Sequence, residues 1–353
     1  MRVVVTGASG NVGSALLRRL GQTDHSVIAV ARRLPASVVG GRDVRWVSAD
    51  LSTADSVPVL LDAMEGADAV VHLAWAFQPS HDLRYLEELG VGGTRRVVDA
   101  AMAAGVAHVV HMSSVGAYSP KWDGAPVDES WPTEGVPSSS YSRHKSAAER
   151  LLDSFETAEA PVITRLRPGI VGQRSAGSAL LRYGLPPVIP SKALGAVPML
   201  PLPRGLTVPV VHADDLADAI LRVLERRIGG PFNLAAPSPV TSTDLASALG
   251  ARLLPAPAVV VRAAMAAAWH ARLQPVSPGW FDLAVSAPMM SSARARDELD
   301  WYPQRSSISV LAETFAGMRA ADAGETPVLR QRTVAGELKQ LFRDGPISRR
   351  PLP

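Results

Sequence analysis

Three glycines near the head of the chain constrain its fold more than any other feature. Thr6-Gly7-Ala8-Ser9-Gly10-Asn11-Val12-Gly13 follows the apolar run Val3 to Val5 and opens an amphipathic stretch, Val12 to Leu20. In a strand–turn–helix unit each glycine has its own task. Gly7 permits the sharp turn out of the strand, Gly10 lets a pyrophosphate approach the backbone, and Gly13 lets the helix lie close on the strand. The start of the helix then offers free N–H groups and the positive end of its dipole to phosphate oxygens. A glycine turn alone is common. Here strand, spacing and helix agree, and together they predict a dinucleotide site.

The rest of the first half keeps the alternation. Val27 to Val30, Ala69 to Leu73, His108 to Met112 and Val162 to Leu166 read as buried strands, with helical patterns at Ser56 to Met64, Leu83 to Ala104 and Tyr141 to Phe155. Such alternation makes right-handed βαβ units and a parallel sheet covered on both faces. The expected fold class is therefore α/β, a Rossmann-type doubly wound parallel sheet with a smaller, mostly helical C-terminal substrate domain. The pattern breaks after Gly172. Residues 184–209 hold seven prolines and read as loop and turn. Helical patterns resume at Asp214 to Arg227, from Thr243-Asp244, at Ala263 to Arg272 and at Ser307 to Ala320, with a short strand at Pro231 to Ala235. The expected organisation is a nucleotide-binding domain over 1–172 with a return segment at 205–237. A substrate-binding domain takes 173–204 and 238–310, and a C-terminal helix and peripheral tail take 311–353. The six arginines and lysines from Arg330 to Arg350 read as a solvated tail.

Composition excludes several classes. With no cysteine there is no disulfide, thiolate zinc site or cysteine nucleophile. Thirty-six basic residues against 33 acidic leave +3, too small a surplus to indicate nucleic acid. The most apolar late stretch, Ala256 to His270, is interrupted by Arg262 and is too short to span a bilayer. No targeting segment is visible. These features predict a cytoplasmic protein with a small-molecule substrate and no nucleic-acid, membrane or metal partner.

The end of the second strand bears on which dinucleotide is bound. Ala31-Arg32-Arg33 offers no carboxylate for a ribose 2′-hydroxyl, whereas two guanidinium forks suit a 2′-phosphate. NADP(H) is favoured and NAD(H) remains open. Asp50-Leu51, closing the third strand, is placed to face the adenine. Tyr141 and Lys145 are four apart at a helix start, so they share a face about a turn apart. An ammonium near a phenol favours the phenolate and lowers the tyrosine pKa, which suits proton exchange with an alcohol or carbonyl during hydride transfer. Ser113-Ser114 ends a strand upstream, where a hydroxyl can hold the substrate oxygen.

With these residues in view, the chain resembles an extended short-chain dehydrogenase/reductase. That superfamily includes NAD-dependent epimerases/dehydratases, dihydroflavonol-type reductases and 3β-hydroxysteroid dehydrogenases. The resemblance runs from Met1 to about Pro303. It rests on Thr6 to Gly13, Asp50-Leu51, His72 to Ala74, Ser113 to Tyr118, Tyr141 to Lys145, Arg167 to Gly172, Val211 to Ile220, Phe232 to Ala235 and Leu299 to Pro303. It implies that Tyr141 is the general acid/base and that Lys145 lowers its pKa and holds the nicotinamide ribose. It further implies that Ser114, rather than Ser113, supplies the catalytic hydroxyl. Leu73 and Ala74 would line the cofactor cleft, Pro168, Ile170 and Val171 would flank the nicotinamide, and Arg32 would meet the 2′-phosphate. His144 is expected on a solvent-exposed face. His212 with Asp214-Asp215 is expected to cap a helix rather than bind a metal. A homodimer is implied, built from Leu83 to Ala104 and Tyr141 to Phe155.

Two departures bear on substrate. Many sugar-nucleotide members carry asparagine where this chain has Gly90, and often another where it has Ile170. Both changes weaken a nucleotide-sugar reading, and Arg167 to Gly172 resembles the reductase and hydroxysteroid-dehydrogenase branches, so the expected function is an NAD(P)(H)-dependent oxidoreductase acting on a secondary alcohol or ketone. The alternatives are a sugar-nucleotide epimerase/dehydratase with retained cofactor and a non-catalytic nucleotide sensor. Presence of both Tyr141 and Lys145 speaks against the sensor.

Overall fold

Short valine-rich runs with no polar face are stable only between two layers of helix. The computed structural model describes residues 1–36, 39, 41, 44–78, 81–156, 161–186 and 189–344. Strands β1 (Arg2–Thr6), β2 (Ser26–Ala31), β3 (Val44–Ser48), β4 (Ala69–His72), β5 (His108–Met112) and β6 (Val162–Pro168) join Gly230–Leu234 in a seven-stranded sheet. Its order is Gly230–Leu234, β6, β5, β4, β1, β2, β3, and all neighbours are parallel. After β3 the chain crosses back to lay β4 beside β1. The crevice beyond the carboxyl ends of β1 and β4 is thus the topological switch point, where open α/β sheets bind ligands.

The side-chain period of two sorts each strand between two apolar clusters. Val3 and Val5 join Leu16, Leu17 and Leu20 of α1 (Asn11–Leu20) on one face. Val4 joins Leu60 and Met64 of α2 (Ser56–Met64) on the other. Each of these fully buried leucines contributes about 1.5–3 kcal/mol.

The helix expected over Leu83 to Ala104 is divided. It runs as α3 (Leu83–Glu87), a π-helical turn at Glu88–Gly92, and α4 (Gly93–Ala103). Helix α5 (Ser140–Asp153) starts from the Ser139 cap, whose side chain accepts from Ser142 N–H. Helices α6 (Gly177–Gly184) and α7 (Ala213–Arg226) follow, the latter capped by His212 as expected, its ring accepting from Asp214 N–H.

Three expectations are corrected. The proline-rich stretch 184–209 is not all loop, because Met199–Leu202 pairs with Arg252–Pro255 and Thr207–Val208 with Val240–Thr241. Each is a two-stranded ribbon with nothing but edges, where proline's missing N–H costs little. The alanine-rich helix begins earlier, at Ala258, directly after Pro257. The chain after Ala320 is not peripheral: Thr326, Leu329 and Arg332 are buried before a last helix at Val334–Asp344. Positions 345–353, including Arg349 and Arg350, lie outside the described residues. Among the described residues no helix is long and apolar enough to cross a membrane.

Candidate active site

At the switch point lies a cleft enclosing about 780 Å³, part of it open solvent. Its floor is the turn between β1 and α1. Gly7 has φ +71°, and a Cβ there would fall 2.5 Å from Ala74 N, so glycine alone lets the segment after β4 lie against the turn. A Cβ at Gly13 would fall 2.5 Å from Gly7 O, so the first turn of α1 lies directly on the glycine turn. The N-terminus of α1 has no side-chain cap, leaving its first N–H groups for an anion.

Of the expected cofactor contacts, Gly7, Ser9, Gly10, Arg32, Asp50, Leu51, Leu73 and Ala74 line this cleft. Arg32 donates to the Tyr85 hydroxyl at 3.1 Å, and Asp50 accepts from Ser52 N–H and Oγ at 3.0 and 2.7 Å. Arg33 stands off the wall with a buried, unpartnered Nη2. Burial, then Arg330 and Arg32, lower its pKa. Thr6 is behind the floor, its Oγ1 2.7 Å from His72 Nδ1. Asn11 Nδ2 donates to Val171 O at 3.0 Å, and Val12, Leu73 and Val171 pack on one cluster. Pro168 is buried while Ile170 is exposed.

The second group collects beyond β5 and on α5. The Ser114 hydroxyl accepts from Gly116 N–H at 3.0 Å and lies, with the Tyr141 ring, against Gly116. A Cβ on Gly116 would meet Tyr141 Cε1 at 2.9 Å, so this glycine makes room for the phenol ring. Ser113 turns away and donates to Glu149, which also holds Arg167 in a buried pair. Lys145 donates to Met112 O at 2.7 Å, and its Nζ lies 3.4 Å from the Trp75 ring centroid.

Here the expected proton chemistry is corrected. The Tyr141 pKa is pushed up to about 12 by burial, only partly offset by Ser114. Its ring packs at 4.5 Å on Trp280, with Phe77 at 6.2 and Trp75 at 6.3 Å, so a phenolate there would lose its hydration. Lys145 lies 5.9 Å from the Tyr141 ring centroid, and burial depresses its own pKa far below the usual lysine value. His144 is likewise buried, with its pKa lowered by that burial, because α5 packs on the π-helical turn at Glu88–Gly92.

The sequence reading missed Trp75, Phe77, Gln78, Tyr85, Leu89, Tyr183 and Val328 in the cleft wall. The aromatics directly after His72-Leu73-Ala74 were a usable signal for the first two. Trp75 also explains a departure: a Cβ at Gly90 would meet its ring at 3.0 Å. The bare backbone of the π-helical turn is what seats the indole.

This sheet, the glycine turn and the Ser114–Tyr141–Lys145 group define the extended short-chain dehydrogenase/reductase class of enzymes. The model of the NAD dependent epimerase/dehydratase family matches residues 3–235, and the chain belongs to that family. An uncharacterized protein of Mycobacterium tuberculosis is 27% identical over 305 residues, 86% of this chain and 28% of that one. The chain thus spans little more than a quarter of that relative's length. Sterol demethylase protein B of Methylococcus capsulatus is 29% identical over 225 residues, 58% of this chain and 67% of that protein. Among solved structures, a UDP-glucose-4-epimerase from Stenotrophomonas maltophila with bound NAD and formylated UDP-arabinopyranose matches with a TM-score of 0.70. It is 22% identical over 91% of this chain and 98% of that one.

Proposed function

We propose that the protein is an NAD(P)(H)-dependent oxidoreductase that transfers hydride at a secondary alcohol or ketone. The observation that carries this reading is the grouping of Ser114 with Tyr141 about Gly116, beyond β5, with the phenol ring against Trp75 and Phe77 of the cleft wall. The residues present fit a dinucleotide: a glycine cradle that a Cβ would fill, an uncapped helix start and a buried, unpartnered guanidinium nitrogen. Gly7, Ser9 and Gly10 would hold the pyrophosphate, Asp50 and Leu51 the adenine, and Lys145 the nicotinamide ribose. Arg32 and Arg33 favour a 2′-phosphate, hence NADP(H) over NAD(H). When bound, the nicotinamide supplies or accepts the hydride.

The side chains then divide the remaining work. Ser114 orients the substrate oxygen and stabilises charge that develops on it. Tyr141 exchanges the proton of that oxygen. With its pKa near 12 the phenol is neutral at pH 7, which suits giving a proton to a carbonyl. Trp75 stands over Lys145, its ring centroid 3.4 Å from Nζ. Residues 173–204 and 238–310 would form the substrate-binding domain, whose Trp280 packs on Tyr141.

Tyr141→Phe is expected to abolish turnover and leave dinucleotide affinity within about twofold, measured by NADPH and NADH titration and a ketone panel. Full activity in that variant overturns the mechanism, and clear preference for NADH overturns the arginine reading. Family membership supports a second reading, an epimerase or dehydratase that retains its cofactor. Steady-state NADPH consumption separates the two, since the second reading predicts none.

A further inference from the structure

The chain returns to the cleft after its last expected helix. Thr326, 2% exposed, donates from Oγ1 to Ser9 O at 2.7 Å, reaching the glycine turn from more than three hundred residues away in sequence. Two residues on, Val328 lines the same cleft as Ser9, Gly10 and Arg32.

This strap is held firmly. Ser178 of α6 binds its start, N–H to Asp322 O at 2.8 Å and Oγ to Ala321 O at 2.7 Å. Arg182 of α6 donates to Val328 O and, at 2.6 Å, to Arg330 O. Arg332 reaches Ile189 O and Pro186 O at 3.0 and 2.9 Å. Leu329 is buried against Ala176, Ala179 and Tyr183. So many contacts fix which side of the strap faces the glycine turn.

We propose that residues 322–332 form a wall of the dinucleotide site, with Val328 against the bound dinucleotide and Thr326 fixing the Ser9 turn beneath its phosphates. The proposal rests on the dinucleotide reading of the cleft given above. The charge around the strap supports it. Arg33, Arg182 and Arg330 surround Tyr183, and after burial it is mutual repulsion that lowers the pKa of Arg33 and Arg182. A phosphate nearby relieves that repulsion. Neither the glycine motif nor the Tyr-x-x-x-Lys pair foretells this wall.

The test uses the full chain with NADPH and ADP-ribose as probes, by titration calorimetry and by hydrogen exchange. Saturating NADPH should raise exchange protection across 322–332. Val328→Asp, which aims a carboxylate into the cleft, should weaken both probes at least tenfold and speed release. Thr326→Val should weaken them several-fold, and both variants should keep the wild-type circular dichroism. If the wild type binds but the strap's exchange is unchanged, or folded Val328→Asp binds as the wild type does, the strap proposal fails alone. If the wild type binds neither probe, both this proposal and the cofactor reading fail.

Discussion

Replacing Glu149 with alanine should destabilise the protein by about 3–5 kcal/mol, the cost of stranding one member of a buried ion pair. Glu149 and Arg167 are 2% and 5% exposed. They meet as a fork, Nε to Oε1 at 2.8 Å and Nη2 to Oε2 at 2.5 Å. Arg167 also donates from Nη1 to the Tyr118 hydroxyl and to Glu129 O, each at 2.9 Å. Two charges about 4 Å apart in surroundings of effective dielectric about 20 attract by about 4 kcal/mol. The Ser113 hydroxyl loses its acceptor as well, for roughly 1 kcal/mol more. A guanidinium cannot escape by releasing its proton. Against a total stability of about 5–15 kcal/mol, the variant is marginal. Urea unfolding followed by circular dichroism measures the loss, and Arg167→Met, alone and combined with Glu149→Ala, closes the cycle. The double variant strands no charge and should recover about 2 kcal/mol or more relative to Glu149→Ala. A single-variant loss below about 1 kcal/mol, or strict additivity, refutes the reasoning.

Acid should loosen the fold through His72. Burial, with Lys145 nearby, lowers its pKa from 6.5 to about 3, so the unfolded chain takes up a proton below 6.5 that the folded chain refuses. Its contribution is therefore complete above pH 6.5 and shrinks by up to about 1.4 kcal/mol per unit as the pH falls toward 3. Urea midpoints at pH 7, 6 and 5 should fall, and His72→Gln should flatten the slope; an unchanged slope removes His72 as the cause. Gly7→Ala is strained by φ +71° and by a Cβ 2.5 Å from Ala74 N. It should lower NADPH affinity at least tenfold and the melting temperature by several degrees, read by calorimetry, and wild-type affinity contradicts the cradle.

What the sequence made legible was local. Strand runs such as Val3 to Val5 and the glycine spacing carry their own geometry, so the sheet and the floor of the cleft followed from them. The wall did not, because Tyr183 and Val328 arrive from segments with no periodic link to the glycine turn. The Tyr141–Lys145 spacing was correct, but spacing cannot show what covers a side chain. Trp75, Phe77 and Trp280 reverse the sign of the expected pKa change. The expectation for His144 failed for the same reason, since the π-helical turn at Glu88–Gly92 packs on its helix. The π-helical turn at Glu88–Gly92 escaped because one extra residue in a helix leaves almost no trace in an apolar pattern.

The strand order has a consequence for how such a chain can change. Groups on the adenosine side hang from β1, β2 and β3, while Ser114 follows β5 and Tyr141 and Lys145 ride on α5. Within the seven-stranded sheet the two halves meet where β1 lies beside β4. On the cofactor reading proposed above, substitutions at Arg32 or Arg33 would bear on nucleotide preference from the end of β2, on the far side of β1 from the phenol. The order of the strands thus sets the proposed nucleotide and substrate specificities on opposite sides of the β1–β4 seam.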